Sequence, residues 1–400
     1  MSRRPALAPY IFEHRNKRYA YDPYANEVCA IDAGVSALLE GAEGSPPDPG
    51  SEQARLDLAS AREEGLFLSP HAPDFDSCSD CRTHGDSETR LSQLTLSLTE
   101  SCNLRCTYCP HTHQGLDWQR SHGLQSMTPS ILRRALRYFL PRSVDAETVS
   151  VSFYGGEPLL EFDLIREAVV QIETESPRDD IRIIIDTNGL LLGRDEVIDF
   201  IVDHGLHLQV SLDGPAAIHD KHRVRGDGSA SHAEIMENVG RLLRRDPTSA
   251  DRIRFQATIV DTADIGQVGA WFDAFPPFRD AGIEMAPSVG ANLADLRGID
   301  GTEFRAILPS SRTRTEHLER ARDAYVETRA AGHVPDPIAR ALFDGDMIRF
   351  YHRVRRPPGE VLAPAGFCVV GRRRLHVDVH GRFQPCERTG TGLVIGHVGS

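Results

Sequence analysis

The chain has no apolar run near the ~18 residues needed to cross a bilayer. Its opening residues, MSRRPALAPYIFEH, lack the apolar stretch of a secretory signal. Neither membrane insertion nor secretion is indicated, and a cytoplasmic location is expected. Positive charge is also in short supply. Forty-five Lys and Arg face 58 Asp and Glu, a formal net charge of -13, which repels phosphate backbones and weighs against a nucleic-acid partner. Cysteine is scarce, with eight in 400 residues, and in a reducing compartment clustered thiols are metal or redox ligands sooner than disulfides.

What is present is enough hydrophobic residue, 40% of the chain, to bury a main domain of roughly 200 to 250 residues with smaller attachments. Three zones are expected, 1–92, 93–312 and 313–400. The first opens with two β-like runs, NKRYAYD and EVCAID, joined by the turn-like PYAN. Helix candidates follow at Ala33 to Leu39 and in SEQARLDLASAREEG. It ends in a polar linker that carries Cys78 and Cys81.

From Leu94 short β runs alternate with helical stretches. The strand candidates are 94–98, 148–154, 181–186, 207–213, 253–260 and 282–287. A helix is expected from TPSILRRALRYFL, with Thr128 as N-cap and Pro129 at its first position. No internal sequence repeat is visible beyond this alternation. The pattern implies parallel strands with crossover helices, an α/β fold that is either an open sheet or a partly closed barrel. The last zone has one or two helices and a β-like tail bearing Cys368 and Cys386.

Three of the eight cysteines, Cys102, Cys106 and Cys109, fall within ESCNLRCTYCPH, directly after the first strand of the alternating zone. That is the end of the strand where (βα) proteins place their chemistry. Thiolates at this spacing can ligate three irons of a cubane cluster, whereas a structural zinc normally takes a fourth nearby ligand. A zinc ribbon or incidental thiols are the plainer alternatives.

CxxxCxxC with Tyr108 before the third cysteine resembles the cluster loop of the radical S-adenosylmethionine (SAM) enzymes. The resemblance implies a partial (βα)6 TIM-like barrel of radical SAM type, with a small N-terminal α+β extension and a C-terminal SPASM-like segment. Its cofactors would be a 4Fe-4S cluster and S-adenosyl-L-methionine, with an electron donor such as a flavodoxin or ferredoxin. In that family the cluster reduces the sulfonium, and a 5′-deoxyadenosyl radical takes hydrogen from the substrate.

Further motifs carry the likeness. FYGGEP, with Gly155, Gly156 and Glu157, is similar to the family's GGEP element, where backbone carbonyls would receive the methionine ammonium. A plain glycine turn would read the same way. DTNGLLL holds Asn188 and Gly189, a tight turn or a further family element. VSLDGPAAIHDKHRVRGDGS supplies Ser211 and Arg223, which match SAM contacts of the peptide-modifying branch. Arg225 competes for the arginine role. An arginine suits a carboxylate because it can donate two parallel hydrogen bonds. GIEMAP suggests an adenine contact at Ile283.

The tail, with Cys368, Gly381 and Cys386, resembles the opening of a SPASM domain, but the further cysteine group of that domain is missing. Truncation of a longer parent is the first explanation. Completion of an auxiliary 4Fe-4S site by Cys78 and Cys81 is the second, and redox-inert thiols the third. Glu387 stands where sulfatase-maturing relatives carry a catalytic aspartate. Cys29 is read as core and His111 and His113 are given no role.

The expectation is a radical SAM enzyme of the SPASM-containing, peptide-modifying branch, related to anaerobic sulfatase maturases. Its partner would be a ribosomally made precursor peptide (RiPP), in which it installs a crosslink, thioether or epimer. The N-terminal zone resembles a precursor-recognition region, or else only caps the barrel. Formylglycine formation as a sulfatase maturase, small-molecule metabolism on the same core, and a non-catalytic iron–sulfur or peptide-binding scaffold are the alternatives.

Overall fold

The computed structural model describes residues 9–14, 16–23, 25, 27–40, 50–68, 89–109, 123–275, 282–286, 311–351, 373–387 and 393–399. These fall in two compact units, one formed by Met1–Gly85 with Met347–Phe367 and one by Asp86–Asp346 with Cys368–Ser400.

The first unit carries a three-stranded antiparallel meander, β1 (Tyr10–His14), β2 (Lys17–Asp22) and β3 (Glu27–Ile31). The first of these strands is an addition to the sequence reading. It joins β2 through a two-residue link in which Asn16 takes φ 60°, a conformation that Asn tolerates better than most residues. Helix α1 (Ala33–Leu39) is capped by Asp32, whose carboxylate accepts a hydrogen bond from Val35 N at 2.7 Å. Helix α2 spans Gly50–Glu63. Ala20, Val35, Ala54, Leu58 and Phe67 form a small separate core. The buried Asp22 carboxylate accepts from Phe67 N at 2.6 Å and ties the segment after α2 to β2.

The second unit is built on one nine-stranded sheet. β4 (Gln93–Thr99), β5 (Ser150–Gly155), β6 (Arg182–Thr187), β7 (His207–Ser211), β8 (Ile253–Thr258) and β9 (Gly282–Ala286) lie side by side in chain order, each parallel to the next. Their connections include α3 (Pro129–Phe139), α4 (Phe162–Glu175), α5 (Asp195–Asp203), α6 (Ala216–His222), α7 (His232–Arg245) and α8 (Ile265–Asp273). The order matches the expected partial (βα)6 arrangement. Thr128 caps α3 as its sequence suggests, accepting from Ile131 N, with Pro129 in the first turn. Two more helices follow, α9 (Ser311–Ala330) and α10 (Pro337–Tyr351).

The sheet does not close on itself among the described residues. β10 (Arg374–Val377) pairs in parallel with the outer side of β4, and β11 (Arg382–Gln384) and β12 (Gly396–His397) extend it antiparallel. The β-like tail is therefore part of the same sheet as the strands it follows.

Alternation along the strands sorts the two faces. Leu94, Leu96, Leu98, Val151, Phe153, Ile183, Ile185, Val210 and Phe255 are buried in one core with Leu132, Leu136, Ile165 and Ile198 of the helices. The intervening residues, among them Thr95, Ser152, Gln209 and Gln256, line a cavity of about 430 Å³ on the other face. Parallel strands covered on both faces are usually apolar throughout. Polar residues on every second position show that this face lines a polar space.

At the strand ends Gly155 sits at φ 131°, and Gly156 donates to Thr99 O at 2.8 Å. A Cβ on Gly156 would fall well inside contact distance of the Ser101 carbonyl. Gly156→Ala should therefore lower stability by about 2 to 4 kcal/mol, whereas Gly266→Ala, which meets nothing within 4 Å, should not. Urea unfolding of the two variants checks this, and equal midpoints would contradict it.

Candidate functional site

The cysteine loop leaves the C-terminal end of β4 and is held there by backbone. Arg105 N donates to Val224 O at 2.7 Å and Thr107 N to His222 O at 2.9 Å, and Leu104 bridges Arg225. The loop is thus pinned to the segment following α6, more than a hundred residues on. Arg225 is spent on Glu234, to which it donates at 2.5 Å. Of the two arginine side chains, that of Arg223 packs against the loop, over Tyr108.

Asp213, just past β7, is the centre of this packing. It is 1% exposed. One carboxylate oxygen accepts from the Tyr108 hydroxyl at 2.6 Å and from Arg223 Nε at 3.0 Å, and the other from Thr258 N at 2.9 Å. The Arg223 guanidinium lies 5.3 Å from the centre of the Tyr108 ring. Burial works against its charge, but the surrounding groups, Asp213 foremost, together outweigh burial and hold its pKa above the ordinary value. Burial likewise pushes the Tyr108 phenol well up. The outer nitrogens of Arg223 have no partner among the described residues, so one edge of a nearly buried guanidinium is open to an anion.

Behind it His219 is fully buried and bridges Ser231 at 3.1 Å and Asp213 N at 3.3 Å. Burial lowers its pKa to about 3, so it is neutral. His222 contacts Thr107 at 2.8 Å. Asp213, His219 and Asn188 are site residues to which the sequence reading gave no role. Asp213 lies two positions after Ser211 in the SLDG run, but its partner Tyr108 is 105 residues away.

Glu157 performs a similar task between β5 and β6. Its fully buried carboxylate accepts from Thr187 Oγ1 at 2.8 Å, Leu159 N at 3.1 Å and Asn188 N at 2.7 Å. The side chain is directed into the protein, so whatever Glu157 gives a ligand goes through the backbone it fixes. Asn188 then donates to Asn103 at 2.7 Å and to the Cys102 sulfur at 3.8 Å. Ser211 is partly exposed at the end of β7. Ile283 pairs with Phe255 in the backbone of β9.

The three thiols gather in this frame. Cys106 is buried and Cys102 and Cys109 are partly so. Burial pushes Cys102 up to about 11 and Cys106 up to about 12, and each is also raised by the nearby Cys109. Neutral thiols in such a place become thiolates only against compensating positive charge, which iron supplies. Among the described residues no three His, Cys, Asp or Glu side chains converge as ligands of a single ion. A cluster spreads its irons and takes one thiolate from each, a role the three thiols fit.

Elsewhere, Cys29 lies half-buried in β3 beside the small core, as expected. Cys386 follows β11 and is half-buried. Cys78, Cys81 and Cys368, with His111 and His113, lie outside the described residues. Glu387 lines the polar cavity.

Two outcomes are expected. Asp213→Asn leaves Arg223 buried without its counter-charge and should cost about 3 kcal/mol or more in urea unfolding. An unchanged midpoint would remove Asp213 from its central place. Burial raises Glu157 from 4.5 to about 7. Between those values the unfolded chain has lost a proton that the folded chain keeps. Stability therefore falls as pH rises through this window, by up to about 3 kcal/mol. Glu157→Gln lacks that loss, so its melting temperature should gain on the wild type between pH 5 and pH 8, and a constant difference would contradict the account.

Comparison with known proteins agrees with this geometry. Residues 96–253 match the family model described as the Radical SAM superfamily. An uncharacterized protein of Synechocystis sp. is 31% identical over 218 residues, 52% of this chain and 49% of that protein. GTP 3',8-cyclase of Mycolicibacterium smegmatis is 38% identical over 146 residues, 36% of this chain and 37% of the enzyme. The cysteine-type anaerobic sulfatase-maturating enzyme of Clostridium novyi is 30% identical over 161 residues, 39% of this chain and 41% of the enzyme. The chain spans about half or less of the length of these relatives. Native anSMEcpe with bound AdoMet and Cp18Cys peptide superposes with a TM-score of 0.55 at 19% identity, covering 77% of each chain, and so shares the fold. The cysteine loop, its frame of buried partners and the strands β4 to β7 lie in the region, residues 96–253, that matches the Radical SAM superfamily, a family that uses a 4Fe-4S cluster and SAM.

Proposed function

We propose that the chain is a radical SAM enzyme that abstracts hydrogen from a residue of a ribosomally made precursor peptide, leading to a crosslink, thioether or epimer. The observation that carries this is the loop of three partly or fully buried cysteines pinned beside an arginine with one open edge. Cys102, Cys106 and Cys109 would hold the cluster. When bound, cluster and SAM supply a one-electron cleavage that yields a hydrogen-abstracting carbon radical, with the electron coming from a flavodoxin or ferredoxin.

This chain's residues orient and shield that chemistry. Arg223 donates its free edge to the SAM carboxylate, and Asp213 keeps the guanidinium at that angle. The backbone at Gly155 and Gly156 receives the methionine ammonium, and Glu157 fixes that backbone from behind. Ser211, Tyr108 and the backbone at Ile283 complete the SAM contacts. The polar cavity on the same sheet face admits the substrate. Native anSMEcpe, which shares the fold, has AdoMet and a peptide bound.

The N-terminal unit supports a peptide partner. β1 and β3 are the edges of its sheet among the described residues. Tyr10, Phe12 and Tyr19 stack across β1 and β2, with Tyr10 68% exposed. An extended peptide can add to such an edge through backbone hydrogen bonds, its side chains gripped by the aromatic rings.

A second reading, oxidation of a Cys or Ser to formylglycine, draws support from one observation. Glu387 reaches the cavity, where a carboxylate could act as base.

Reconstituted anaerobically with iron and sulfide, then reduced with SAM, the protein should release 5′-deoxyadenosine. The triple Cys102→Ala, Cys106→Ala, Cys109→Ala variant should fall to background. A fully loaded wild type that releases none would end the proposal, and mass spectrometry of co-expressed peptides separates the two readings by the mass change.

A further inference from the structure

The cavity is not uniform along the strands. Its uncharged polar residues occupy the middle of the sheet, and Asp186 and Tyr154 stand toward the strand ends that carry the cysteine loop. The opposite end is mainly basic, with Asp251 just ahead of β8 also lining it. Arg374 and Arg182 are the first residues of β10 and β6, Arg254 is the second of β8, and His207 is the first of β7. All four side chains line the cavity.

We infer that this strand-start end is a carboxylate-binding subsite, which selects substrate peptides with an acidic group placed away from the reacting residue. The inference rests on the reading of the chain as a peptide-modifying enzyme and names the class of peptide it takes.

Three observations carry it. First, Arg182, Arg254 and Arg374 are exposed and make no ion pair or side-chain hydrogen bond with the described residues. Surface arginines of the same sheet and helices commonly do otherwise. Arg178 pairs with Asp180, Arg241 with Asp195 and Arg245 with Asp199. Second, the three line one cavity, from β10, β6 and β8, with no neutralising partner of their own. His207 is depressed by burial and then by Arg182, Arg252 and Arg254, so it adds little charge but senses theirs. Arg252 is committed to Asp246 at 2.8 Å. Asp251, Asp186 and Glu387 also reach the cavity, yet none lies within ion-pair distance of these three arginines. Third, the whole chain is acidic, at -13. A cavity lined by three unpaired arginines is therefore the place where an anionic ligand is drawn in against the general field.

Two sources of the carboxylate are separable. The probes are three fluorescein-labelled hexapeptides: an amidated one with two glutamates, its diglutamine counterpart, and that counterpart with a free C-terminus. Binding is read by anisotropy on the cluster-loaded full chain with SAM. One or both carboxylate-bearing peptides should bind about tenfold more tightly than the neutral one, and 0.5 M salt should shrink the advantage. Arg182→Gln, Arg254→Gln and Arg374→Gln should each reduce it by about threefold, and the triple variant should erase it. Because the three side chains are exposed and unpaired, the variants should melt as the wild type does. Equal binding of all three peptides, or an advantage that survives in the triple variant, overturns the subsite. Release of 5′-deoxyadenosine without peptide, measured on the same samples, should be unchanged. If no sample releases it while charge selectivity persists, the radical reading fails and the subsite stands.

Discussion

A single carboxylate with no access to water, that of Asp213, joins the parts of the site. It receives a phenol from the cysteine loop, a guanidinium from the segment after α6 and a backbone N–H from the end of β8. A buried ion pair is poor evidence for stability, because desolvation can exceed the attraction. Its value here is geometric. The pair fixes where Arg223 points, and the remaining edge of that arginine is the part a ligand would meet. Glu157 repeats the device one strand pair away, where its carboxylate draws the turn at Asn188 against the end of β5. Two buried acids thus tie together the segments at the ends of five strands, β4 to β8.

The glycines make that arrangement possible. Gly155 and Gly156 let the loop after β5 lie directly on the backbone of the loop after β4, so that Gly156 N and Glu157 N take the Thr99 and Ser101 carbonyls. The cysteine loop is then bounded on one side by these peptides and on the other by residues 222–225. Thiols so enclosed resist ionisation, as the upward displacement of Cys102 and Cys106 shows. Binding iron would release their protons and repay the cost of burying sulfur ligands, which couples metal content to pH and to folding.

Much of this was legible in the sequence because it is local. The six β runs of the alternating zone coincide with β4 to β9, since β-branched and apolar residues in short runs and caps such as Thr128 act within a few residues of themselves. The cysteine spacing was legible for the same reason. What was missed depends on distance in the chain or on weak local signal. AAIHDKH forms α6 with only Ile218 and two histidines buried, so it has no apolar period to read. YIFEH becomes β1 because β2 is there to pair with it. The Tyr108 to Asp213 bond and the pairing of Arg374 with Gln93 join segments over a hundred residues apart, and no spacing rule announces them. Glu157 was read as part of a ligand loop, and its fully buried side chain gives that loop its shape instead.

The polar alternation of the strands is also written in the sequence. In TVSVSFY and HLQVSLD every second residue is Ser, Gln or another polar group, and a sheet buried on both faces would not tolerate that pattern. Each such residue must find water, a partner or a ligand. Ser97 and Gln384 answer the requirement within the protein, for both engage the fully buried His376, which locks β10 and β11 against β4. Farther along the sheet Gln209 donates to Gln256 at 2.7 Å, and both line the cavity. The tail strands therefore do more than lengthen the sheet. By satisfying the polar face at one edge, they leave the polar space lined by the strands beside them, from β4 to β8.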